Sequence, residues 1–285
     1  MQLNSLTDTY TLQNGVQIPC IGFGTWQVAD GEEARASVLS ALEAGYRHID
    51  TAQAYENEQS VGQGIRDSGV PREQIFLASK LRNPVRGYEE TLAAAEESLR
   101  LLGTDYLDLF LLHWPRPAAF HDEWERMNAE SWRAMETLYE QKKLRALGIS
   151  NFRSHHIDAL LKTAKVAPQV NQIRLAPGET QDETVDYSRE NGMLLEAYSP
   201  LGVGRIFDVP EMKDLAEKYG RTIAQIAIRW SLQRGYLPLP KSVTPERIRE
   251  NAQVFDFWLS DEDVQRIADM KGVVGFARDP DDIPF

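Results

Sequence analysis

The chain has almost no cysteine. Its 285 residues include one, Cys20, so no internal disulfide can form and a reducing compartment is expected. It also lacks any run of 18 apolar residues, the length a helix needs to cross a bilayer. The opening MQLNSLTDTYTLQNG has no basic stretch leading into an apolar one, so it does not read as an export signal. Positive charge is scarce: 31 Lys and Arg stand against 43 Asp and Glu, a net charge of −12. That balance argues against general affinity for nucleic acid or an anionic membrane, and any anionic ligand then needs a local basic cluster. A cytoplasmic monomer that engages neither nucleic acid nor membrane is the expectation.

Several chemistries are missing as well. There is no HExxH and no Cys/His cluster, and the adjacent His155 and His156 would leave a helix toward different faces, so no metal site is expected. AYSPLG lacks the glycine two residues before its serine that a nucleophile elbow needs. GFGTWQ has two glycines but not the third of a dinucleotide fingerprint, and the GQG at 62–64 lies inside a helix pattern.

What is present is alternation. Hydrophobic residues make up 42% of the chain. CIGFGTW, YRHIDTA, IFLASKL, YLDLFLLHW, LRALGISNF, QVNQIRLA, LLEAYSP and YLPLPKSV read as eight strands. Helix-like segments such as EEARASVLSALEAG, YEETLAAAEESLRLLG, ESWRAMETLYEQKK and TIAQIAIRWSLQRG separate them, several closing on the glycine of a helix C-terminus. Continuous apolar strands joined by helices suit a parallel sheet covered on both faces. The expected fold is a (β/α)8 TIM barrel, one domain over residues 1–285, with an N-terminal β-hairpin and an extra C-terminal helix. Asn14-Gly15 between apolar runs marks the hairpin as a two-residue turn.

Barrels keep their chemistry at the C-terminal ends of the strands. By that rule Asp50, Tyr55, Lys80 and His113 gather at the mouths of three adjacent strands. Each has a bland reading alone: Asp50 as a helix cap, Lys80 as a snorkelling lysine, His113 as a core histidine, Tyr55 as packing. Together they suggest a site. A phenol of pKa about 10 is a weak acid at neutral pH, and a nearby ammonium would bring it down. Lys80 is the available cation, Asp50 would hold it, and His113 would give an N–H to an oxygen gaining charge. That set suits a carbonyl becoming an alcohol. No side chain delivers a hydride, so a cofactor must. In KSVTPERIRENAQVF, Thr244 is a good N-cap and Pro245 fits the first helical position. Lys241, Ser242 and Arg247 then surround a helix N-terminus suited to a phosphate.

GYRHIDTAQAYENE, YLDLFLLHWP, GISNF, QVNQI, AYSPLG and KSVTPERIRENAQVF together resemble the signature segments of the aldo-keto reductases, over nearly the whole chain. The resemblance implies NADPH-dependent reduction of aldehydes or ketones, with Asp50, Tyr55, Lys80 and His113 as the catalytic tetrad and Tyr55 as the acid. It implies that Ser150, Asn151 and Gln172 hold the nicotinamide carboxamide while Tyr198 stacks on the ring. Ser199, Leu201 and Gly202 would cover the pyrophosphate, and Lys241, Ser242, Arg247 and Asn251 would grip the adenosine 2′-phosphate and adenine. Gly24, Thr25, Trp26 and Trp114 would line the cofactor and substrate mouth. Arg174-Leu175-Ala176-Pro177 departs from the family pattern at the outer rim, and Phe120 and Trp124 are further candidates for shaping the pocket. The short tail GVVGFARDPDDIPF is similar to bacterial members, which points to small carbonyls such as α-ketoaldehydes, diketo-sugar acids or simple aldehydes. The alternative from another class is a catalytically weak, cofactor-binding regulatory or sensor protein on the same fold.

Overall fold

The structure is a computed structural model that describes residues 3–285. Strands β1 (Thr9–Thr11) and β2 (Gln17–Pro19) form an antiparallel hairpin with Thr11 opposite Gln17. Its turn is longer than the Asn-Gly pair alone suggests. Leu12 N donates to Val16 O at 2.9 Å, leaving Gln13, Asn14 and Gly15 as a three-residue loop. Gly15 takes φ 83°, the left-handed position such a loop needs. Leu12 and Ile18 bury against Phe76, Leu109, Val170 and Leu237, at or near the starts of four barrel strands, so the hairpin plugs the end opposite the mouth.

Eight parallel strands follow: β3 (Phe23–Gly24), β4 (His48–Asp50), β5 (Phe76–Leu81), β6 (Leu109–Leu112), β7 (Leu147–Ser150), β8 (Val170–Arg174), β9 (Leu194–Tyr198) and β10 (Leu237–Leu239). Each pairs with the next in chain order. The ring closes where Gly22 N donates to Pro238 O and Gly24 N to Pro240 O, both at 3.0 Å. Each strand is therefore covered on both faces, and β5 is buried at every residue, Ser79 and Lys80 included.

Ten α-helices surround or extend the barrel among the described residues: α1 (Glu32–Glu43), α2 (Glu58–Asp67), α3 (Tyr88–Leu102), α4 (Trp124–Glu140), α5 (Ser154–Leu161), α6 (Asp182–Glu190), α7 (Pro210–Tyr219), α8 (Ile223–Gln233), α9 (Pro245–Ala252) and α10 (Asp261–Ala268). The GQG segment is indeed helical. A Cβ at Gly62 would sit 2.2 Å from Leu102 O, so this glycine lets α2 lie directly against the end of α3. Trp132 on α4 and Trp230 on α8 are among the largest buried side chains, and their indole N–H groups donate to Val166 O and Val264 O. These bonds remove the penalty of burying a polar group with a large apolar ring. Among the described residues no helix is long and apolar enough to cross a membrane.

Candidate active site

Asp50 ends β4, Tyr55 ends a 3-10 turn over Gln53–Tyr55, Lys80 lies one residue from the end of β5, and His113 follows β6. Lys80 is completely buried. Its ammonium donates to Asp50 Oδ1 at 2.7 Å and Oδ2 at 2.8 Å, to Thr51 O at 2.9 Å and to Tyr55 Oη at 3.2 Å. A buried ammonium without that carboxylate would carry an uncompensated cost of several kcal/mol. The ring of His113 meets that of Tyr55 edge-on at 5.9 Å between centroids. All four residues are thus brought together.

Their electrostatics differ from the sequence expectation at one point. Burial raises the Tyr55 phenol above its ordinary value; Lys80 pulls it down and Asp50 pushes it up, and the net shift is upward. The expectation that Lys80 would leave the phenol acidified does not hold, because desolvation outweighs the ammonium. Lys80 keeps its charge: burial favours the neutral amine, but Asp50 and Tyr55 more than reverse this. Burial, then Lys80 and Arg86, hold His113 well below the usual imidazole range. His113 is therefore neutral at pH 7, with one ring N–H to give, and its buried Nδ1 has no partner among the described residues.

A second tier surrounds this cluster. Ser150 Oγ donates to Gln172 O at 2.8 Å. Asn151 Nδ2 donates to His113 O at 3.0 Å and to Ser150 Oγ at 3.1 Å, and Tyr198 OH donates to Asn151 Oδ1 at 2.8 Å. Thr25 donates to Asp50 O through both N and Oγ1, each at 3.0 Å. Gly24 backs onto Leu239, Trp114 is buried, and Trp26 is 45% exposed. Backbone strain collects on this side of the barrel. Of seven non-glycine residues with positive φ among those described, all but Lys142 lie in segments that follow a barrel strand, among them Asn151, Ser199 and Val203. Leu201 and Gly202 sit in the same loop. Gly202 adopts φ 58°, and a Cβ there would come within 2.5 Å of Val274, so the loop closes on the C-terminal tail.

Lys241, Ser242 and Arg247 flank the start of α9, and Asn251 is buried near its end. Thr244 occupies the N-cap position without a side-chain cap bond; Ser242 Oγ accepts from Thr244 N instead, at 3.1 Å. Neither Lys241 nor Arg247 joins an ion pair among the described residues. Two cations at a helix N-terminus in an acidic protein are free for an anion.

Two features were absent from the sequence reading. Glu196 on β9 is completely buried, and its Oε2 accepts from Gln172 Nε2 at 2.9 Å. Alternation could have found it: Glu196 stands two residues before Tyr198, on the same face of the strand, as His48 stands two before Asp50. The second is the tail, which folds back over the mouth. Arg174 donates to Val274 O and Phe276 O at 2.6 and 2.9 Å, which explains the arginine in the departing rim segment. Phe285 packs edge-on against Trp114 at 5.8 Å, and Ala118 N donates to Phe285 O.

The two adjacent histidines correct another expectation. They do not diverge: in the first turn of α5 both Nε2 atoms reach Asp281 Oδ1, at 3.1 Å from His155 and 3.0 Å from His156. Their rings lie 3.8 Å apart, and Trp124 turns its ring edge-on to that of His156. The three ligand-type atoms lie within 4.8 Å of one another. His156 Nδ1, however, accepts from Arg153 N, which puts the ring proton on Nε2 facing Asp281. That bonding makes the cluster a clasp on the tail, reinforced by Arg153 and Asp279 at 2.9 Å.

The model of the Aldo/keto reductase family matches residues 20–271. A glyoxal reductase of Bacillus subtilis is 46% identical over 281 residues, covering 99% of both chains. A crystal structure of an aldo-keto reductase from a Medee basin deep-sea metagenome library superposes with a TM-score of 0.91 at 41% identity, covering 97% of this chain and 100% of that one. An aldo-keto reductase of Bombyx mori, solved in complex with NADP, gives a TM-score of 0.86 at 33% identity over 95% of this chain and 94% of its own.

Proposed function

We propose, from the premise that this chain belongs to the aldo/keto reductase family, that it is an NADPH-dependent reductase of small aldehydes and ketones with Tyr55 as the proton donor. The observation that carries the reading is the buried chain from Asp50 through Lys80 to Tyr55, with neutral His113 edge-on to the phenol. The residues fit the cofactor. Lys241 and Arg247 are unpaired cations at a helix N-terminus, suited to a phosphomonoester, and Gln172 Oε1 takes no donor among the described residues. When bound, the nicotinamide supplies the hydride that no side chain can.

The protein supplies position and a proton. The substrate oxygen binds between Tyr55 and His113, whose O–H and N–H donors respectively meet the charge that develops there. A phenol held above its ordinary pKa is a poor donor to water. It remains a good donor to an alkoxide, which is far more basic than a phenolate, so the proton stays on Tyr55 until reduction creates its acceptor. Lys80 then stabilises the phenolate left behind at 3.2 Å, and Asp50 fixes Lys80. Phe285 of the returning tail packs against Trp114, next to His113, and we infer small carbonyls of the glyoxal class named by the bacterial relative as substrates.

The test is NADPH consumption against a panel of aldehydes, ketones and dicarbonyls, with alcohol formation measured in parallel. Stoichiometric turnover with small dicarbonyls is expected. Tight NADPH binding with no turnover across the panel would overturn the reading in favour of a cofactor sensor.

A further inference from the structure

Beneath the four residues lies a polar layer that a barrel interior would otherwise fill with apolar side chains. Gln172 Nε2 donates one proton to Asp50 Oδ2 and the other to Glu196 Oε2, both at 2.9 Å. Both amide hydrogens are spent on carboxyl groups, so only one of the two amide orientations is compatible with the network. On its other side Glu196 Oε1 faces His48 Nε2 at 3.5 Å, and neither atom has another partner among the described residues. The space for His48 is made by Gly22, where a Cβ would fall 2.7 Å from the imidazole. Glu196 and Gln172 are direct neighbours across β8 and β9.

We propose that Glu196 is a positioning residue for the reaction: as a neutral acid it fixes the amide of Gln172 and keeps the charge beneath Asp50 and Lys80 balanced. Two carboxylates bridged by one amide, with Lys80 the one ammonium touching Asp50 among the described residues, would leave a net negative charge in the barrel interior. A proton on Glu196 Oε1 removes that charge and gives His48 Nε2 the donor it lacks. Burial and Asp50 push Glu196 up to about 8, while burial and Lys80 push His48 down to about 3, so at neutral pH both groups are uncharged. Asp50, Lys80 and His48 are the titratable groups facing Glu196, from β4 and β5, and Gln172 faces it from β8. With the amide locked, Gln172 Oε1 is left as an acceptor for the carboxamide N–H of a nicotinamide. Once Glu196 ionises, the added negative charge holds the Tyr55 proton more tightly and slows its transfer.

The proposal rests on the reductase reading, and two variants separate them. E196Q reproduces the neutral acid: its carbonyl accepts from Gln172 and its amide donates toward His48. E196L removes the acceptor. At pH 7 E196Q is expected to bind NADPH within about twofold of the unmodified protein, and E196L about tenfold more weakly, as for the loss of one oriented hydrogen bond. Cofactor fluorescence gives both constants, and melting curves confirm that both variants fold. The reduction rate of the unmodified protein is expected to fall above an apparent pKa near the value given for Glu196, and that limb to move up in E196Q. Infrared spectra of the cofactor-free protein should show the carbonyl stretch of a protonated acid at pH 6 that E196Q lacks. Equal NADPH affinity in E196L, an unmoved alkaline limb in E196Q, or an ionised Glu196 at pH 6 would each overturn the proposal while carbonyl reduction stands. Absence of carbonyl reduction in the unmodified protein would overturn the reductase reading, with the infrared and binding results still deciding the role of Glu196.

Discussion

Lys80 and Lys241 are the same side chain in opposite surroundings. Lys80 is wholly buried, with three oxygen-bearing partners within 3.2 Å, whereas Lys241 is half-buried and, with exposed Arg247, has no ion pair among the described residues. A buried cation must have its counter-charge built in, because desolvation would otherwise neutralise it. A cation at the rim can wait for its counter-charge to arrive as a ligand. On the proposed reading, the first kind presets chemistry and the second selects a cofactor.

Four changes would break or sharpen that contrast. Tyr55→Phe removes only the donor oxygen. It should lower kcat for carbonyl reduction by about 10²–10⁴-fold with NADPH affinity within about threefold, read by steady-state kinetics and fluorescence titration. Lys80→Met should cost about 3–5 kcal/mol in denaturant unfolding, since Asp50 is left buried and unpaired; adding Asp50→Asn should restore part of it. Neutralising Lys241 and Arg247 together should raise KM for NADPH about 10–100-fold and leave that for NADH nearly unchanged, with the gap shrinking in high salt. Equal effects on both cofactors would refute a 2′-phosphate grip.

The smallest effect concerns stability against pH. The folded pKa of Glu196, about 8, lies above that of an unfolded Glu, about 4.3, so the native state binds the extra proton between them. Stability contributed by this group is therefore full below about pH 4.3 and is lost as pH rises toward 8. E196Q carries no such titration. Its melting temperature relative to the unmodified protein should rise between pH 5 and pH 8, and a constant difference would contradict the shift.

The parts legible in the sequence were those fixed by local pattern. Eight apolar runs spaced by helices required a covered parallel sheet, and placing polar residues at strand ends gathered Asp50, Tyr55, Lys80 and His113 without coordinates. What stayed hidden depended on closure. Glu196 and His48 meet across the barrel interior, a contact invisible in either strand alone. The Arg174 guanidinium and the His155–His156 pair acquire their partners only because the tail returns over the mouth, about a hundred residues on in sequence. The direction of the Tyr55 shift is hidden in the sequence for a related reason. Counting charges gives the pull of Lys80, but the opposing desolvation exists only once the barrel has buried the phenol.

The most direct test of the account is a crystal structure of the ternary complex with NADP and an alcohol product. The product oxygen is expected within about 2.6–3.2 Å of Tyr55 Oη and of an imidazole nitrogen of His113, with Lys80 still on Tyr55. A product oxygen held elsewhere, or Tyr55 turned away from Lys80, would contradict it.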